Sequence, residues 1–110
     1  MKQYVIDELR PTDARLLKSY LDEQHGPARL GNIYWLPLDP AHYSDFQKSH
    51  EACRPLYFAM ELKDEALYCE LLVRTNNHVR CDCMAYATED QRNWLIRTLD
   101  SILERLEIII

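Results

Sequence analysis

Between Pro55 and Ala87, apolar and polar positions alternate with a period of two in three segments, 56–62, 66–74 and 79–87, separated by Lys63-Asp64-Glu65 and by Thr75-Asn76-Asn77. Short polar breaks between alternating runs predict a three-stranded antiparallel meander. Neighbouring strand side chains point to opposite faces. One face therefore collects Leu56, Phe58, Met60 and Leu62, then Leu67, Cys69, Leu71 and Val73, then Val79, Cys81, Cys83 and Ala85, with no charge among them. The other carries Tyr57, Ala59, Glu61 and Lys63, then Tyr68, Glu70, Leu72 and Arg74, then Arg80, Asp82, Met84 and Tyr86. This register places Cys81 and Cys83 inside and Arg80 and Asp82 outside.

A sheet with one oily face needs cover, and the C-terminal segment supplies most of it. Thr88 with Gln91 three residues on forms a capping-box pattern, and Glu89 and Asp90 suit the positive end of a helix dipole. From there Leu95, Ile96, Leu99, Ile102, Leu103, Leu106, Ile109 and Ile110 fall on one stripe, and Arg97, Asp100, Glu104, Arg105 and Glu107 on the opposite one. Burying that stripe contributes on the order of 10 kcal/mol before entropy. The run Ile108-Ile109-Ile110 exceeds what a single face needs.

Upstream, Gln3-Tyr4-Val5-Ile6 reads as a short strand. Pro11 and Gly26-Pro27 bracket a helix with Ala14, Leu17 and Leu21 on its apolar stripe and His25 as a charged cap at its end. Residues 32–38 read as a strand that Pro37 confines to a sheet edge, with Trp35 and Trp94 closing the ends of the core. Residues 42–54 predict one short helix. The order β-α-β-α-β-β-β-α specifies a single α+β domain over 1–110, a two-layer sandwich with a mainly antiparallel sheet of four or five strands and helices on one face.

Composition narrows function by exclusion. With 110 residues the chain can bury a full core without staples. Eighteen acidic against 13 basic side chains, net −5, with no Lys/Arg run, argue against duplex nucleic acid or an anionic membrane as partner. The two glycines, Gly26 and Gly31, belong to no phosphate-cradling loop. The N-terminal residues lack the apolar core of a signal peptide and no stretch is of membrane-spanning length. The expected setting is cytoplasmic, with the four cysteines reduced.

Two candidate sites remain. His50 and Cys53, one helical turn apart, could converge with Cys81 and Cys83, two apart on a strand face, into an N-S-S-S set suited to tetrahedral zinc; His50 and Cys53 alone are also the one local base-thiol pairing. The plainer reading makes these cysteines small core residues. No other cofactor is implied, and no catalytic set stands out. The second candidate is the outer sheet face, with Tyr57, Tyr68, Leu72, Arg74, Met84 and Tyr86, where Tyr, Met and Arg are residue types that interfaces favour. Aromatics beside arginines on a sheet also suit stacked RNA bases, but Glu61, Glu70 and Asp82 would repel phosphate. The reading is a non-catalytic protein-interaction domain, a homodimer or a binder of another protein, acting through this face or through the terminal isoleucines.

Overall fold

The computed structural model describes residues 1–75 and 82–110. Four strands, β1 (Gln3–Ile6), β2 (Ile33–Pro37), β3 (Leu56–Lys63) and β4 (Ala66–Thr75), form one antiparallel sheet in the order β1-β4-β3-β2, with helices α1 (Pro11–His25), α2 (Asp45–Lys48) and α3 (Glu89–Arg105). The α+β sandwich expected from the alternation is the fold observed. Leu17 and Leu21 of α1 and Leu95, Leu99, Ile102 and Leu103 of α3 share one core cluster with Leu56, Phe58, Met60, Leu62, Leu67, Cys69 and Val73 of the sheet.

α3 begins where the capping box places it. The Gln91 N–H donates to Thr88 Oγ1 (3.2 Å) and the Thr88 N–H donates back to Gln91 Oε1 (3.0 Å). It ends at Arg105 with Glu107 at φ 58°, and the Ile108 N–H turns back to the Leu103 carbonyl (2.9 Å). Ile108 is buried by that turn, so only Ile109 and Ile110 are exposed.

Three features differ from the sequence reading. The third meander strand is reduced, among the described residues, to a bridge between Leu72 and Tyr86, with the Val73 N–H donating to Ala85 O (2.9 Å) and the Ala87 N–H to Leu71 O (2.7 Å). β1 takes the other half of that edge of β4, pairing Gln3 with Glu70 and Ile6 with Leu67. Cys83 is buried and Asp82 exposed as the alternation requires; Ala85 is exposed, and Val79, Arg80 and Cys81 lie outside the described residues. The single helix expected over 42–54 is three short turns, Pro40–His42, α2 and Glu51–Cys53, because Ser44 caps a new start and His50 (φ −113°, ψ 75°) leaves the helical region. Finally, β3 and β4 shift register between Phe58 and Met60, so Ala59 alone stands opposite Glu70, Leu71 and Leu72. The insertion adds two residues, which keeps odd and even positions on their faces.

Candidate functional site

The outer face of the sheet is built around that bulge. Glu70 and Arg74 are four positions apart, roughly 13 Å in a regular strand, yet Arg74 Nε and Nη2 donate to Glu70 Oε1 and Oε2 at 2.7 and 3.3 Å. The bulge brings them together, and the fork geometry neutralises both charges on the face itself. Beside them, the small Ala59 side chain leaves a hollow.

A tight turn at 29–33 supplies the far wall. The Arg29 N–H donates to Ile33 O (2.7 Å) and the Ile33 N–H to Arg29 O (3.1 Å), with Leu30 and Gly31 at positive φ, 40° and 85°. In β2, Tyr34 and Leu36 point inward and are buried, so Ile33 and Trp35 face out. Trp35 meets Tyr57 edge-to-face at 5.3 Å, and the Arg29 guanidinium lies over the Trp35 ring at 5.7 Å. The result is an open groove of about 340 Å³ lined by Arg29, Leu30, Ile33, Trp35, Ala59 and the Glu70–Arg74 pair. A smaller hollow of about 130 Å³ adjoins it, bordered by Tyr68, Glu61, Gln3 and again Ala59.

Of the residues expected on this face, Arg74 lines the groove, Tyr57 braces its tryptophan and Tyr68 borders the adjoining hollow. Leu72 and Tyr86 meet at the edge of β4, where the Tyr86 hydroxyl donates to Met1 Sδ (3.6 Å) and Lys2 Nζ sits 5.2 Å above its ring. Met84 is half-buried. Arg29, Leu30 and Ile33 were not singled out from sequence, and Trp35, expected at an end of the core, is half-buried on this outer face instead. The run 33–36 is apolar throughout, so its pattern does not say which side faces the core.

The zinc candidates are placed as follows. His50 Nδ1 is 2.8 Å from Phe46 O and 3.0 Å from Ser49 Oγ, and its ring stacks on Phe46 at 4.1 Å. Cys53 and Cys83 are buried members of the core cluster, and Cys81 lies outside the described residues. Among the described residues no group of three or more His, Cys, Asp or Glu side chains is arranged to hold a metal ion. The remaining cysteine, Cys69, is fully buried, and that burial pushes its thiol up to about 12.

Elsewhere the polar side chains tie elements together. Tyr34 donates to Asp22 Oδ1 (2.5 Å), joining β2 to α1, with Lys18 Nζ 3.2 Å from the same carboxylate. His42 Nδ1 lies 2.8 Å from Asp90 Oδ2. The two buried glutamines close the core polar network: Gln91 Nε2 donates to Gln47 Oε1 (2.8 Å) and His42 O (3.0 Å), and Gln47 Nε2 donates to Cys83 O (2.9 Å). No described helix is long and apolar enough to cross a membrane. Compared with protein-family models, with curated proteins and with solved structures, the chain matches none.

Proposed function

We propose that this chain is a small cytoplasmic protein-contact domain that pairs with a second copy of itself through the outer face of its sheet. The observation that carries the reading is the cluster of half-buried apolar side chains there, Ile33, Trp35, Tyr57, Tyr68 and Leu72, on a face whose strongest charge pair, Glu70–Arg74, is already neutralised internally. Aromatic side chains give an interface large contact area at low entropic cost, and arginine is enriched beside them in interface cores. Both signs of charge occur on the face, so an isologous contact between identical surfaces can set opposite charges against each other.

The β2 edge is a poorer route to pairing. Arg29 takes the outward backbone groups of Ile33, and Pro37 has no N–H to offer, so little of a strand ladder is left open to a partner. The buried cysteine thiols of Cys53, Cys69 and Cys83 fit a cytoplasmic setting. Sedimentation velocity from about 1 to several hundred µM tests the proposal, a range that reaches weak specific association. Concentration-dependent dimer that Tyr68→Glu abolishes, with an unchanged circular dichroism spectrum, is the expected result. Monomer throughout would refute it.

A further inference from the structure

The groove and the turn beside it have the shapes of a socket and a knob. Leu30 is 92% exposed at the lip of the groove, the most exposed large apolar side chain among the described residues. Its backbone sits at φ 40°, a region leucine seldom occupies, and Gly31 beside it is at φ 85° with open space around its Cβ position. Strained backbone that aims a bulky apolar group at water is the kind of feature retained where a partner receives it.

The charges are arranged in the same way. Arg29, next to the knob, makes no ion pair among the described residues; its guanidinium rests on Trp35. Glu61, beside the socket in the adjoining hollow, is exposed and likewise without an ion-pair partner among them. Glu70 is already engaged by Arg74. One surface thus presents an aliphatic knob beside a cation and, alongside, an apolar socket beside an anion, neither charge having an ion-pair partner among the described residues. A two-fold axis superimposes such a surface on itself, because each half meets its complement.

We infer that Leu30 of each copy seats in the Ile33/Trp35/Ala59 groove of the other, with Arg29 of one copy paired to Glu61 of its partner. This rests on the reading that the outer face pairs with a second copy, and it commits that contact to one register. Leu30 is then the anchor, Trp35 the socket wall, and the Arg29–Glu61 pairs flank the axis and fix orientation.

The test measures the dimer dissociation constant by sedimentation equilibrium for the full chain and its variants. Leu30→Asp weakens the dimer at least tenfold while leaving the fold intact, since the wild-type side chain touches little of its own chain. Leu16→Asp, a change at an exposed leucine of α1, leaves the constant within twofold and controls for added negative charge. Arg29→Glu and Glu61→Arg each weaken the dimer severalfold, and the double variant, carrying both reversals in every copy, restores it. A dimer indifferent to Leu30→Asp, or charge reversals whose combination fails to restore affinity, overturns this seating. If Tyr68→Glu still dissociates such a dimer, the face remains the contact and only the register falls. Monomeric wild-type protein, or a dimer indifferent to every one of these variants, overturns both.

Discussion

Replacing Gln91 removes the most deeply buried polar side chain among the described residues. Its side chain is 1% exposed and its amide is fully specified. Oε1 accepts from the Thr88 N–H, while Nε2 donates to Gln47 Oε1 and to His42 O. A flipped amide would set Oε1 against two acceptors, so the network itself fixes the orientation. Gln91→Met keeps length and removes three hydrogen bonds, each about 1 kcal/mol net, and leaves a helix-terminal N–H and a backbone carbonyl short of partners. Regained apolar transfer offsets part of this. The expected loss is about 3 kcal/mol, a large share of the roughly 5–15 kcal/mol that holds a domain together.

Gln91→Glu is the sharper version, because its shape is unchanged. The Thr88 cap survives, but a carboxylate oxygen now faces Gln47 Oε1 and His42 O, both acceptors. Ionisation is disfavoured there by burial and by the opposed dipoles, so the folded-state pKa rises above the unfolded value of about 4.3. Protonated, the acid regains one donor. The variant's stability relative to wild type is therefore best below about pH 4.3 and falls as pH rises through the folded pKa. If the ionised form costs about 3 kcal/mol more than the acid, that pKa lies about two units up, and the deficit grows between about pH 4 and 7 and is flat above. Urea unfolding followed by circular dichroism at a series of pH values reads it as a difference from wild type. A deficit that does not change with pH, or a Gln91→Met cost under about 1 kcal/mol, would refute the account of the network.

Two further expectations concern titration. His25, half-buried at the end of α1 and edge-on to Tyr20, is held by desolvation below the usual histidine pKa; its stabilising contribution is present above about pH 6.5 and is lost as pH falls through the lowered folded value, so His25→Gln flattens stability in that window and an NMR titration places the imidazole below ordinary histidine. The Tyr34 hydroxyl is the largest influence keeping the Asp22 carboxyl below its usual range, so Tyr34→Phe moves the Asp22 titration upward in carboxyl NMR, with Lys18 holding back part of the shift; an unchanged Asp22 contradicts the 2.5 Å contact.

Much of the fold was legible because its signals are local. Thr88 and Gln91 mark the start of α3 three residues apart, Pro11 and Gly26 bracket α1, and the alternation in 56–62 and 66–74 survives a bulge that inserts two residues rather than one. What was not legible is set at long range. Gln3 pairs with Glu70 across most of the chain, and nothing in residues 79–87 announces that β1 occupies half the edge they were expected to fill. Leu30 and Arg29 had no sequence signal at all beyond a neighbouring glycine. The buried glutamines carried a partial one: Ser44-x-x-Gln47 matches the pattern of Thr88-x-x-Gln91, but a glutamine at a helix start reads as solvent-facing until a second one is found bonded to it. His25 went the other way. A helix C-terminus favours its charged form, yet burial dominates and favours the neutral one.

The contact face and the core are built from separable contacts, and this gives the two sets of variants different meanings. The groove is held by interactions within the sheet and its turn: the Arg29–Ile33 backbone pair, the Glu70–Arg74 fork and the Trp35–Tyr57 contact. The glutamine network instead clamps α2 and α3 to the stretch after Asp82, through Cys83 O, just ahead of Ala85 and Tyr86, which lie along β4. Distant, unshared contacts contribute additively. Loosening the glutamines therefore lowers stability and disturbs the Tyr86 edge but leaves the Trp35 groove formed, so Gln91→Met retains near wild-type dimer affinity per folded molecule. Leu30→Asp does the opposite, weakening association with stability intact. Such an uncoupled pair of effects is what a rigid scaffold presenting a locally assembled contact surface produces.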